Sequence, residues 1–151
     1  MSRRLTHRPS TTYAERLGQV HGLLDTLAEA RLERITRTAR RLFGVEGAAI
    51  ILWRNGRVVY QAGSGTEHLP LERLMRHGGG PQVLEGPAGS TLAIAPLHVD
   101  LRLSGGCLCL YDADARALTT EDLQSLADLA TWAEDELDVV RLGQTLALRM
   151  A

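Results

Sequence analysis

Few residues in this chain are placed to do chemistry, and the densest group is His68, Glu72, Arg73, Arg76 and His77. A short helix over residues 70–77, stopped by Gly78-Gly79-Gly80, sets Arg73 and His77 four apart on one face. A guanidinium and an imidazole sharing a face can hold an anionic ligand, and the imidazole titrates near neutral pH. The plainer reading is a solvated loop helix. Trp53 and Tyr60 flank Asn55-Gly56. They either stack across neighbouring strands or line a pocket above the sheet. Cys107 and Cys109 are the two cysteines, and on a strand they point to one face. That geometry does not readily close a disulfide, and two thiols fall short of a four-ligand zinc site. They read as small buried apolar side chains, with a redox role as the alternative. His98 reads as a surface residue of a strand, and His21 has no metal-ligating partner one turn on. The glycine triplet lacks the preceding strand, following helix and lysine of a phosphate loop. No catalytic constellation forms, and nothing names a cofactor or a metal.

The elements that must position these residues are legible from pattern. Residues 1–11 are polar and read as a disordered start, leaving residues 12–151 as a single domain. A helical pattern begins at Tyr13 with Leu17, Val20 and Leu24. Thr26-Leu27-Ala28-Glu29 fits a capping box, so a second helix starts near Leu27. Its stripe is Leu32, Ile35, Ala39 and Leu42, and Gly44 ends it. The apolar run 48–53, then Asn55-Gly56, then 57–62, spells a β-hairpin with a type I′ turn. Residues 63–90 read as Gly-rich and irregular apart from the short helix. Residues 91–99 form a strand in which Pro96 argues for an edge or a bulge. A turn near Asp100-Leu101-Arg102 leads to strand 103–111. Thr119 or Thr120 caps a last helix over about residues 120–149. Two hairpins between terminal helices make an α+β domain: an antiparallel sheet of about five strands with the terminal helices on one face.

Composition bounds the function classes. No apolar run reaches the ~20 residues of a membrane span, and no apolar stretch follows Arg3, Arg4 and Arg8 as a secretory signal would require. The expectation is a cytoplasmic protein without a membrane partner. All 17 basic residues are arginines. Residues 1–44 hold nine arginines against four acids, and residues 112–151 hold nine acids against three arginines. The basic third could touch nucleic acid, but no aromatics interleave with it and no recognition motif is present. The preferred reading excludes nucleic acid and lays the first and last helices side by side with complementary charge.

Gly106-Cys107-Leu108-Cys109-Leu110-Tyr111-Asp112, followed by the capped helix at Thr119, resembles the last strand and helix of a GAF domain. Leu23-Leu24-Asp25-Thr26 with Leu42-Phe43-Gly44-Val45 is similar to the opening of bacterial GAF domains. Ala95-Pro96-Leu97 resembles the family's segment before the final hairpin, and Arg116 with Leu126-Ala127-Asp128-Leu129-Ala130 completes the likeness. It spans roughly residues 22–142. In sensor GAF domains the region after the second strand builds the wall and lid of a ligand pocket. Here only about 28 residues lie between Ala62 and Thr91, and the cysteine many relatives carry there is absent.

The resemblance implies a non-catalytic sensory or regulatory domain of bacterial signal transduction. It would take a small-molecule ligand, with Trp53, Tyr60, Arg73 and His77 as candidate contacts. It would dimerise through its terminal helices and relay binding to an output domain or signalling partner. The last helix carries a near-heptad seam, and its distal residues Leu137, Val140, Gln144 and Ala147 are the candidate homodimer contacts. Two alternatives stand beside this: a ligand-free dimerisation scaffold, and a GAF-type free methionine sulfoxide reductase. The reactive cysteines of that enzyme type lie in the irregular region, where this chain has none.

Overall fold

The computed structural model describes residues 26–65, 69–76, 78–99 and 103–150, with side chains in the last helix described as far as Val139. The helix expected from Tyr13, the turn at 100–102, and His21, His68 and His77 lie outside the described residues.

Helix α1 (Thr26–Phe43) buries Ala28, Leu32, Ile35 and Ala39, a stripe at helical spacing. Its end is a glycine stop. Gly44 has φ +62, and the Val45 amide donates back to the Arg40 carbonyl at 3.2 Å. Strands β1 (Gly47–Arg54) and β2 (Arg57–Ser64) follow as the expected hairpin. Asn55 (φ 53) and Gly56 (φ 77) hold the left-handed values of a type I′ turn. Helix α2 (Leu71–Arg76) and strand β3 (Gln82–Glu85) occupy the stretch read from sequence as irregular. A 3-10 turn at Pro87–Gly89 leads to β4 (Thr91–Leu97), then β5 (Gly105–Asp112) and helix α3 (Thr120–Met150).

The five strands run in the order β2-β1-β5-β4-β3, and every pairing is antiparallel. This is the α+β sheet expected from the two hairpins, with β3 as an added edge. β3 stops pairing at Ile94, so Pro96 falls where β4 has only β5 beside it. A ring without an N–H is tolerated at such a place.

The central strands are buried on both faces, which is why β1 and β5 read as continuous apolar runs. One face carries α1 and α3 over Ile50, Leu52, Ala93, Leu108 and Leu110. The other carries α2, whose Leu74 is buried with Ile51, Leu92 and Ile94. Helix α3 starts on a reciprocal cap: Thr119 N donates to Asp122 Oδ2 at 2.9 Å, and Asp122 N to Thr119 Oγ1 at 3.0 Å. Arg31 pairs with Glu136 at 3.6 Å, and Arg116 Nη2 reaches the Gly44 carbonyl at 2.7 Å. The N-terminal half of α1 is thus beside the second half of α3, and the two helices run antiparallel. Complementary charge between them is seen, among the described residues, in the Arg31–Glu136 ion pair.

Candidate functional site

The face beneath α2 is where the sequence-based reading placed a pocket wall. Its floor is Ala49, Ile51, Ile94, Cys107 and Cys109, all buried. Trp53 belongs to the same cluster and is itself buried. Arg73 on α2 uses its guanidinium within the fold, donating from Nη1 to the Glu85 carbonyl at 2.6 Å. It thereby ties α2 to the end of β3. Leu74 is fully buried at the centre of the helix and fills the space above the floor.

Tyr60 does not join them. It lies in the opposite cluster, beneath α1. The cause is a bulge between Leu52 and Trp53: Trp53 pairs with Val58, and Leu52 pairs with Tyr60. A regular two-residue hairpin would set Tyr60 opposite Ile51, on the face of Trp53. The inserted residue Val59 turns Tyr60 to the other side. The pairing of Trp53 with Tyr60 as pocket walls is therefore corrected. Burial, together with the fields of Glu33 and Glu29 on α1, pushes the Tyr60 phenol well above its ordinary pKa.

The two cysteines occupy the floor as free thiols. The hydrogen bond Cys109 shares with Cys107, and its complete burial, hold its thiol well above the usual range. A nucleophilic thiol needs the opposite environment, exposed and near positive charge.

A second recess lies at the rim, where the β4–β5 end meets α3. It is open, about 440 Å³ in volume, and lined by Leu97, His98, Val99, Ser104, Gly105 and Asp138. One oxygen of Glu134 receives the His98 backbone amide at 2.7 Å and lies 2.9 Å from the His98 Nδ1. His98 is exposed, as the sequence reading had it. Its contact with a helix residue 36 positions away carries no sequence signal.

A third cluster joins α1 to the approach of α3. The buried Asp112 carboxylate accepts from Glu46 N at 3.2 Å, Asp114 N at 2.9 Å and Arg116 Nη2 at 3.1 Å. Glu46 Oε1 accepts from Ala113 N at 3.0 Å. Thr91 Oγ1 donates to the Asp114 carbonyl at 2.9 Å and accepts from Arg116 N at 2.6 Å. Both Asp112 oxygens are engaged within the fold, so the cluster is a brace.

Of the proposed dimer contacts, Leu137 is corrected. It is 3% exposed within its own protomer and belongs to the core under α1 and α3. The side chains of Val140, Gln144 and Ala147 lie outside the described ones. Among the described residues, no group of three or more His, Cys, Asp and Glu side chains could hold a metal ion. Nor is any described helix long and apolar enough to cross a membrane.

No family model matches the sequence, and no curated protein matches it. Solved structures do. The GAF domain of a protein assigned as a sensor histidine kinase from Pseudomonas syringae pv. tomato is 28% identical, with a TM-score of 0.60 over 95% of this chain and 99% of that one. The GAF-B domain of DevS from Mycobacterium smegmatis is 15% identical, with a TM-score of 0.59 over 79% of this chain and 98% of that one. A domain of a two-component sensor histidine kinase protein from Sinorhizobium meliloti 1021 is 16% identical, with a TM-score of 0.58 over 85% and 100%. Sheet order and near-complete coverage agree: this chain has the fold of a GAF domain and is similar to the GAF domain of the Pseudomonas syringae sensor histidine kinase.

Proposed function

We propose that this chain is a non-catalytic sensory or regulatory domain of bacterial signal transduction, cytoplasmic and homodimeric through its terminal helices. It relays the binding of a small molecule or a protein partner to an output as a shift between helix arrangements. The observation that carries this reading is the length of α3. Its 31 residues span ~46 Å at a rise of ~1.5 Å per residue. The longest strands have 8 residues and span ~26 Å. Among the described side chains the buried stripe of α3 runs from Leu126 to Leu137, and the helix is longer than the strands it covers. A helix continuing past its own core is stable when a neighbour receives it. The expected result is a dimer by light scattering across micromolar concentrations. Deleting residues 140–151 should weaken association while leaving the circular dichroism of the sheet domain in place. A full-length chain that stays monomeric at high concentration overturns the dimer.

A ligand-free scaffold is the second reading, and the packed face beneath α2 favours it. Leu74, Ile51, Leu92, Ile94 and Cys109 are all fully buried where a ligand would sit. Native mass spectrometry of freshly purified chain separates the two: a bound small molecule supports sensing, and bare protein supports the scaffold. The reductase reading needs a reactive thiol, and the buried Cys107–Cys109 pair counts against it.

A further inference from the structure

A ligand in the rim recess would touch the long helix directly, and we propose that this recess binds an organic cation, an amine or guanidinium compound with an aliphatic body. The proposal rests on the sensing half of the reading above and deepens it. It moves the ligand from the filled face beneath α2 to the helix side of the sheet, where Leu97 belongs to the core under α1 and α3.

Three kinds of surface meet there. Leu97 and Val99 give an apolar wall. Gly105 gives bare backbone, because a Cβ at that position would lie 2.8 Å from the Trp53 ring. Its neighbour Ser104 is tied to β1 and the turn after it: Ser104 N donates to the Trp53 carbonyl at 2.9 Å, and Asn55 N donates to Ser104 Oγ at 2.9 Å. The charge comes from α3. Asp138 is exposed and lines the recess, and no described cation pairs with it. Glu134 is one turn earlier on the same face, against the backbone amide and Nδ1 of His98.

Those surfaces select the ligand class. Two carboxylates four apart on a helix repel, and a cation beside them removes that cost. Residues 120–139 of α3 hold no arginine to offset Glu134, Asp135 and Asp138, so the field over the recess is negative and turns anions away. A bare metal ion does not fit, since among the described residues no three His, Cys, Asp and Glu side chains are gathered to hold one. A volume of about 440 Å³ is that of a small-molecule pocket, so the ligand has a body, and Leu97 and Val99 receive it. The cation competes with His98 for Glu134. His98 joins the end of β4 to α3 by its two contacts with Glu134, so a ligand that takes this carboxylate loosens the strand end from the helix.

Titration of the full chain with agmatine and with spermidine, read by calorimetry and by amide NMR shifts, tests this. At least one should bind with a Kd below about 1 mM. It should move the amides of residues 97–99, 104–105 and 134–138 and leave those of α2 and β3 in place. Asp138→Asn should weaken binding at least about fivefold, and Asp138→Lys should abolish it. Asp135→Asn changes an exposed acid of the same helix that does not line the recess, and it should leave the affinity within about twofold. Glutarate, an anion of similar length, should not bind. Equal losses in D138N and D135N overturn the proposal, because the amines then gather on an acidic surface at large. Shifts centred on α2 overturn it as well. If neither amine binds up to about 10 mM, the recess is not a cation site. In that case a different molecule retained by freshly purified chain, and equally by D138K, leaves sensing standing, whereas a bare chain overturns sensing together with the recess.

Discussion

Tyr60 shows what one residue's placement implies. Its phenol is buried on the helix face with Glu33 and Glu29 nearby, so the folded chain holds the proton more tightly than the unfolded chain does. For a raised pKa on an acid, the stabilisation is complete below the unfolded value of 10.0 and is lost as pH climbs past it. Unfolding free energy should therefore fall by about 1.4 kcal/mol per pH unit on this account from about pH 10 upward. Tyr60→Phe keeps the ring and should flatten that alkaline limb. Urea midpoints at about pH 8 and about pH 11 for both chains check it, and equal slopes would refute the assignment. The sequence did not show which face Tyr60 occupies. Asn55-Gly56 announced the turn, but a bulge at Leu52/Trp53 depends on how the finished sheet packs, and no residue type marks it. The buried thiols, by contrast, were legible, because Cys107 and Cys109 alternate within a run of apolar neighbours.

Among the elements, those with strong local chemistry were readable: the glycine stop of α1, the Asn-Gly hairpin, and the Thr119 cap of α3. Strand β3 was not. Gln82-Val83-Leu84-Glu85 has too few residues to show a period and lies between Pro81 and Gly86. It is a strand because β4 offers an unpaired edge from Thr91 to Ile94. The hairpin makes a sharper prediction. Gly56 and Gly63 both have positive φ, +77 and +107. A Cβ at Gly56 meets nothing within 4 Å, whereas one at Gly63 overlaps the Ala48 carbonyl oxygen on the neighbouring strand. Gly56→Ala should cost about 1 kcal/mol, the backbone preference alone. Gly63→Ala should cost at least about 2 kcal/mol more, because β1 and β2 must separate. Chemical denaturation of the two variants measures the difference.

At the scale of the whole molecule, the sheet divides two unlike layers. One face carries α1 and α3, joined by an ion pair and the Asp112–Arg116 brace. The other carries a six-residue helix held chiefly by Leu74 and by Arg73 on Glu85. Amides of α2 and β3 should therefore exchange with deuterium well before those of β1 and β5. Equal protection across both layers would contradict that division. The charge halves of the sequence foretold the side-by-side helices. They did not foretell how much of that charge faces outward, since this depends on the rotation of each helix about its axis. Because α1 and α3 run antiparallel, the start of the first and the end of the last leave the sheet at the same pole. Pulling on those two ends would load the contacts between the helices one turn at a time, as a zip is opened, instead of shearing them together. The helix pair should yield at low force and extend in small steps, while the strands, out of the line of tension, hold until the helices have gone.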